Sequence, residues 1–229
     1  MRKLLLTAPK ASKPGPSGLR LELLTVLDNR KPGIEETLLA SLTRFINSAL
    51  AGGLPQSLQP YLCGGRLIPV KKKDNGLRPV VAGEVLRSIV ARAALMELAA
   101  GISDLQPLQV GVGGSGPWAQ TTTASVRSWV TDMLHGNPNV LVKVDLKNAF
   151  NSIRRRFCVA GVQKYAPGLA TWSHWCLSQT SLVFWQGAVV ACAAGVQQGD
   201  PLAPALFAAY TTLLRRWRGT SLRYGKFGI

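Results

Sequence analysis

Acidic residues are scarce in this chain. Its 229 residues include 27 Lys plus Arg but only 11 Asp plus Glu, which gives a formal net charge of +16. A charge of that size on a chain that is 47% hydrophobic favours a polyanionic partner, and nucleic acid ahead of a membrane surface. The simpler alternative is a basic surface that faces only solvent. The hydrophobic content predicts one or two globular domains with a core.

Long apolar runs, cysteine pairs and histidines are also scarce. No run approaches the ~18 apolar residues of a membrane span, and the N-terminal LLL is shorter than the roughly 7–15 apolar residues of a signal peptide. The four cysteines have no CxxC spacing, and His135 and His174 are the only histidines, which argues against a zinc site. We therefore expect reduced thiols in an intracellular protein that has no membrane partner, is not secreted, and is nuclear if its host is eukaryotic.

The apolar pattern predicts an α+β fold in which a small antiparallel sheet is packed with helices. One β-hairpin is expected from RLIPV to LRPVVAG, with the lysine-rich tip KKKDNG. A second runs from SLVFW to AVVACAAGV and turns at Gln186-Gly187. Helical spacing is found in LRLELLTVLDNR, IEETLLASLTRFINSALAGG, TTTASVRSWVTDML and RRRFCVAGVQKY.

Two further helices are expected. The first spans Val85 to Ala100 and carries Arg87 and Arg92 on its polar side. The second follows QQGDP, with Asp200 as its N-cap and a proline at its first position. Its predicted buried stripe is Leu202, Leu206, Ala209, Leu213 and Trp217.

The segment NVLVKVDLKNAFNSI begins as a buried strand and then reaches Asp145. A carboxylate at the end of such a strand is costly unless it is paired or binds a metal. One interpretation is an N-cap for a helix that starts near Lys147. The other is a divalent metal site, because Mg²⁺ prefers oxygen ligands and is usually held by one or two carboxylates together with substrate phosphates.

Four motifs in one order carry a resemblance to a known family. VKVDLKNAFNSI resembles the first metal-binding motif of reverse transcriptases, the RNA-directed DNA polymerases, and GVQQGDPLAPALFA resembles the motif that follows it. LIPVKKKDNGLRPVV is similar to the fingers hairpin of the non-LTR retroelement and group II intron enzymes, and APKASKPGPSGLRLELL to the lead-in before it. The resemblance implies a right-hand polymerase fold: a flexible basic lead-in at 1–18, a fingers-like region at 19–135, and a partial palm at 136–229 without a thumb.

The resemblance implies a role for several residues around the metal. Asp145 would be catalytic and would bind Mg²⁺ with help from the carbonyl of Leu146. Phe150 would lie under the sugar of the incoming nucleotide, where a ring clashes with a 2′-hydroxyl and so selects deoxynucleotides. The alternative for Phe150 is a core aromatic at a strand–helix junction.

Other matched residues would contact the substrates, which are deoxynucleotide triphosphates, an RNA template and a DNA primer. Lys72 and Arg78 match fingers residues that grip the triphosphate, as permanent donors to oxyanions; the alternative is a solvated turn. Gln198 and Gly199 match the pair that contacts the nucleotide and the template base; the alternative is a turn before a helix. Two interpretations stay open for a group of arginines: they contact the phosphates of the template and primer, or they only face solvent. The group is Arg154, Arg155, Arg156, Arg215, Arg216 and Arg218.

One motif of the family is missing. Reverse transcriptases complete their metal site with a later hairpin that carries two adjacent aspartates. After Asp145 the only acidic residue is Asp200, and a single carboxylate cannot hold two Mg²⁺ ions at the spacing of about 3.5–4 Å that in-line displacement needs. We therefore expect no polymerase activity from this chain alone. The missing motif is typical of a truncated or frame-disrupted retroelement reading frame, or of a partial gene model.

Two other functions fit parts of the pattern. A non-catalytic nucleic-acid-binding protein would need only the basic surface. An RNA-dependent RNA polymerase would share the palm chemistry, but Phe150 argues against it, because an enzyme that uses ribonucleotides has to admit the 2′-hydroxyl.

Overall fold

The computed structural model describes residues 2–7, 13–27, 34–73, 75–98, 118–136, 146 and 148–217. In this part of the chain the fold is α+β, with one four-stranded sheet and helices packed around it. The predicted α+β class is confirmed. Of the described helices, none combines the length and the apolar character that a membrane crossing requires.

Both predicted hairpins are present. Strand β1 (Gly65–Lys71) pairs antiparallel with β2 (Leu77–Gly83), and β3 (Ser181–Trp185) pairs antiparallel with β4 (Ala188–Cys192). The second turn has positive φ at both central residues, 49° at Gln186 and 82° at Gly187. Positive φ at both positions gives a turn whose twist matches that of the two strands, so a two-residue loop is sufficient.

The two hairpins form one sheet in the order β2-β1-β3-β4. The central junction is parallel, with Gly65 beside Val183 and Arg66 beside Phe184. The prediction of an antiparallel sheet is therefore right for each hairpin and wrong where they meet. This junction also joins a strand of the predicted fingers-like region to a strand of the predicted palm region.

Helices cover most of the remaining described residues. The helix predicted from Val85 to Ala100 is found over Val85–Leu98, and its last two predicted residues lie outside the described ranges. The final helix begins at Ala203 rather than at Pro201. The described helices are α1 (Arg2–Thr7), α2 (Leu21–Leu27), α3 (Ile34–Leu50), α4 (Gln59–Leu62), α5 (Val85–Leu98), α6 (Trp118–Leu134), α7 (Ala149–Ser152), α8 (Arg155–Tyr165), α9 (Ala170–Leu177) and α10 (Ala203–Trp217).

The predicted lead-in at 1–18 contains a helix that the pattern did not predict. Helix α1 buries Leu4 and Leu5 in the core. Farther along, Ser17 is held by Glu84, which accepts hydrogen bonds from the Ser17 amide at 2.9 Å and from its hydroxyl at 2.6 Å. The lead-in is thus attached to the fold at both of its described parts.

Helices α8 and α10 pack closely at the centre of the core. A Cβ on Gly161 would lie 2.5 Å from the carbonyl oxygen of Ala209, so only glycine permits this approach. The predicted stripe is confirmed for Leu202, Leu206 and Ala209, which are buried. Leu213 is half-buried, and the Trp217 side chain lies outside the description. The thiols Cys63, Cys158 and Cys176 are free and buried, and Cys192 is free and half-buried.

Some predictions fall outside the described residues. These are the strand that leads to Asp145, Asp145 itself, the glycine-rich loop GVGGSG and Arg218. They stay predictions.

Candidate nucleotide and nucleic-acid site

The tip of the first hairpin is a tight turn between β1 and β2. The Lys72 amide donates to the Gly76 carbonyl at 2.8 Å, and the Asn75 amide donates to the Lys72 carbonyl at 3.3 Å. Asn75 has a φ of 61°, a left-handed conformation that asparagine tolerates better than most residues. The turn thus fixes the backbone from which the lysines project.

Below this turn the hairpin forms an open concave surface of about 540 Å³, lined by Val70, Lys71, Lys72, Lys73 and Arg78. In the described part of the chain, none of these four cations forms an ion pair with a carboxylate. Four like charges around one concavity raise the local positive potential and attract an anion. Lys72 and Arg78, both predicted to grip a triphosphate, therefore line one surface.

The loop between β4 and α10 runs along the outer edge of β2. The Val81 amide donates to the carbonyl of Gln198 at 2.9 Å. Gly199 follows with a φ of 120°, and a Cβ there would lie 2.5 Å from the Val81 carbonyl oxygen. Gly199 is therefore required by this close approach to β2, whatever ligand it contacts.

A buried ion pair anchors the same loop. Arg87 on α5 donates from Nη2 to Asp200 at 2.5 Å and from Nη1 to the Gln197 side chain at 2.7 Å. Both Arg87 Nη1 and Gln197 Nε2 also donate to the Cys63 carbonyl, just before β1. The network ties the loop, α5 and the start of β1 together.

This anchor corrects two sequence predictions. Arg87 does not lie on a polar face; it is buried, because Asp200 supplies the counter-charge that burial demands. Burial by itself lowers the pKa of Arg87, but the Asp200 carboxylate opposes it and the pKa ends above its ordinary value. Asp200 does accept the Leu202 amide at 3.0 Å, as a cap would, but α10 begins only at Ala203.

Phe150 lies on the other side of the loop. Its carbonyl accepts the Val196 amide at 2.8 Å, and its ring packs on Phe207 of α10 with a centroid distance of 5.1 Å. The half-buried ring thus has the core contact expected of a junction aromatic. Its role as a sugar gate stays a prediction.

Residues 195–200 therefore bridge two parts of the predicted site. One side of the segment is bonded to β2 of the basic hairpin. The other side is bonded to Phe150 of α7 and to Ile153 just after that helix, whose carbonyl accepts the Gly195 amide at 2.9 Å. A Cβ on Gly195 would collide with the backbone of Asn151. Gln198 and Gly199 lie between the cationic hairpin and Phe150 along this path.

The described residues do not assemble a metal centre. No group of three or more His, Cys, Asp or Glu side chains in the described ranges could hold an ion. Leu146 is exposed, and its predicted partner Asp145 lies outside the description. Asp200 is committed to Arg87, so it is not free to act as a second metal ligand. The donors that the described residues supply therefore do not fit a pair of Mg²⁺ ions.

The predicted nucleic-acid arginines differ in their surroundings. Arg155 is half-buried and donates to three carbonyls, those of Gly195 at 3.0 Å, Gln179 at 2.6 Å and Cys192 at 2.9 Å. Arg154 and Arg156 are exposed, and the Arg156 guanidinium lies 4.7 Å from the ring of Phe157. Arg155 thus braces the second hairpin internally, while its two neighbours face solvent.

The side chains of Arg215 and Arg216, on the last turn of α10, lie outside the description.

A scan of the chain against models of known protein families gives no match. A search of curated proteins likewise finds no relative of it.

Proposed function

We propose that this chain is the fingers and part of the palm of a reverse transcriptase, and that it binds nucleotides without polymerising them. The observation that supports the proposal most is the segment 195–200, which is bonded on one side to the basic hairpin and on the other to α7. Three motifs that are far apart in the sequence, but belong to one site in the family, are neighbours through this segment.

Each part of the proposed site suits one part of a deoxynucleotide triphosphate. Lys72 and Arg78 line the cationic concavity, where charge-assisted hydrogen bonds to phosphate oxygens are strong. Gln198 and Gly199 follow along β2, and glycine lets a ligand approach the backbone closely. Phe150, at the far end of the bridge, is the predicted sugar contact.

Turnover needs more than this site. In an intact relative, a primer 3′-hydroxyl would attack the triphosphate in a reaction that depends on positioning and electrostatic stabilisation. Mg²⁺ would neutralise the charge that develops on the phosphate oxygens. Because Asp145 is the one carboxylate proposed for that role, we expect this chain to hold the substrate without completing the metal centre.

The test measures nucleotide binding and incorporation separately. A fluorescent deoxynucleotide triphosphate is titrated into the purified chain and into the double variant Lys72→Ala/Arg78→Ala. Loss of two charge-assisted contacts, each worth about 1.5–3 kcal/mol, is expected to weaken binding by about a hundredfold or more. The matched control Arg44→Ala/Lys164→Ala removes the same charges at exposed positions on α3 and α8 and is expected to have little effect.

Two results would contradict the proposal. If both double variants weaken binding equally, the triphosphate is attracted by net charge alone, and a non-catalytic nucleic-acid-binding protein becomes the better description. If primer extension on an RNA template with Mg²⁺ or Mn²⁺ gives robust incorporation, the chain has a complete metal centre and the expected inactivity is wrong.

A further inference from the structure

The two edge strands of the sheet, β2 and β4, differ in what packs beside them. At one edge, the loop that carries Gln198 lies against β2 around Val81, whose amide donates to the Gln198 carbonyl. At the other edge, β4 has no strand beyond it in the described part of the chain. Every residue of β4 except Cys192 is exposed. An uncovered edge strand is a template for pairing with another strand.

The backbone groups that point outward from β4 follow from the register. Trp185 and Ala188 flank the two-residue turn, so they exchange hydrogen bonds, and bonded pairs then alternate along the ladder. Val190 is in a bonded pair with Val183, while Val189 and Ala191 are in non-bonded pairs. The amides and carbonyls of Val189 and Ala191 therefore point away from β3, toward the open edge.

The side chains of this edge are apolar and uncharged. The exposed fractions are 56% for Val189, 44% for Val190 and 42% for Trp185. Residues 175–199 contain no charged side chain, although the whole chain carries a net charge of +16. The strand itself therefore brings no charge to a contact between two copies. The cation nearest to it among the contacts described above is Arg155, which donates to the Cys192 carbonyl at the end of β4 and to the carbonyls of Gly195 and Gln179.

Edge strands usually carry features that prevent such contact. Lysines, prolines and bulges are the common ones, and β4, with the sequence AVVAC, has none of them. Its outward groups are also self-complementary. When β4 is turned by a two-fold rotation about Val190, Val189 of one copy lies opposite Ala191 of the other, and each such pair exchanges two hydrogen bonds.

We propose that β4 pairs antiparallel with β4 of a second copy of this chain, on a two-fold axis through Val190, and so joins two sheets into one of eight strands. This inference goes beyond the proposed function and does not depend on it. The contact is short, so it buries less than the roughly 1,200 Å² of a standard stable interface. The dimer is therefore weak and depends on protein concentration.

Sedimentation velocity of the purified chain under reducing conditions tests the proposal. The wild-type protein is expected to shift from monomer to dimer as its concentration rises through the micromolar range. Val190→Lys places two lysines opposite each other at the axis and is expected to weaken association about tenfold or more. The control Val126→Lys adds the same charge to an exposed valine of α6 and is expected to leave association within about twofold of wild type.

A second variant separates backbone pairing from apolar contact. The amide of Ala191 points away from β3, so Ala191→Pro removes an outward donor without removing a bond of the hairpin itself. Association is expected to be lost, while the thermal melt stays cooperative. A proline variant that still dimerises, or a wild-type chain that is monomeric at every concentration, would overturn the proposal.

Cysteine trapping checks the register. In a Cys192→Ser background, Val190→Cys places two thiols on the axis, in a non-bonded pair with Cα atoms about 4.5 Å apart, which suits a disulfide. Val189→Cys places them diagonally at about 7–8 Å, where bridging fails. Mild oxidation is expected to link the first variant and not the second, and equal linking of both would contradict the proposed register.

Discussion

The Arg87–Asp200 pair makes the sharpest prediction about stability. The two side chains are 6% and 3% exposed and lie 2.5 Å apart. Asp200→Asn removes the negative charge but keeps an oxygen that can accept the Leu202 amide. Removing one partner of a buried pair costs about 3–5 kcal/mol, because the other charge stays buried without compensation. Since domains are stable by about 5–15 kcal/mol, this loss is expected to remove at least about a fifth of the folding free energy, and all of it if the domain is at the low end of that range.

Urea unfolding measures the loss. The stacked pair Trp172 and Trp175, with ring centroids 5.1 Å apart in the core, provides a fluorescence signal for tertiary structure beside the far-ultraviolet circular dichroism signal. Asp132→Asn makes the same substitution at an exposed position of α6 and is expected to change stability by less than about 0.5 kcal/mol. It is the matched control.

A double-mutant cycle decides whether the pair acts as one unit. Arg87→Leu combined with Asp200→Asn leaves no buried charge, so the double variant is expected to lose less than the sum of the two single losses, by about 1 kcal/mol or more. If the losses simply add, or if Asp200→Asn costs under about 1 kcal/mol, the pair is not the anchor that its geometry indicates.

Two further predictions concern the loop and a buried thiol. Gly199→Ala is expected to cost about 1–3 kcal/mol of unfolding free energy, because its Cβ would meet the Val81 carbonyl. Gly168→Ala is the control. Its Cβ would have no neighbour within 4 Å, so it is expected to be nearly neutral in the same urea assay. Burial raises the pKa of the Cys158 thiol from 9.0 to about 12. Between these two pH values the folded state keeps a proton that the unfolded chain loses. The free energy of unfolding is therefore expected to fall as the pH rises from about 9 to about 12. Unfolding free energies measured across that window should fall less steeply for Cys158→Ala, and an identical pH slope would show that this thiol is not responsible.

Local sequence patterns predicted the hairpins well. The LRPVVAG strand was expected at the residues where β2 is found, and the turn at Gln186-Gly187 was expected from the dipeptide itself. Such features depend on residues that are close in sequence. The parallel junction of Gly65 with Val183 depends on which hairpin edges meet across a long connection, and no local pattern encodes that.

The error at Arg87 had a readable signal. Arg87 shares the spacing i, i+3, i+4, i+7 with Val90, Ala91 and Ala94, all of which are buried. An arginine on an apolar helical stripe predicts a buried partner carboxylate. Asp200 was a natural candidate for that partner, because the chain has few other acidic residues that could pair with Arg87. The two residues are far apart in the sequence, so no local pattern indicated that they pair.

For the candidate site, the sequence predicted the residue types better than their surroundings. Lys72 and Arg78 do line one surface, whereas Arg155 proved to be an internal brace for three carbonyls. Charge alone does not distinguish a guanidinium that faces solvent from one that satisfies backbone groups, because that depends on which loops fold against it.

The parallel junction also has a consequence for synthesis of the protein. Val183 lies well over a hundred positions after Gly65, so the β1–β2 hairpin leaves the ribosome with the inner edge of β1 bare. At about 5–20 residues per second, that edge waits roughly 6–24 s for its partner strand. The loop that covers β2 arrives later still. The growing chain therefore carries an unpaired hairpin through much of translation, and its first half depends on its second half, or on a chaperone, to avoid pairing with other nascent chains.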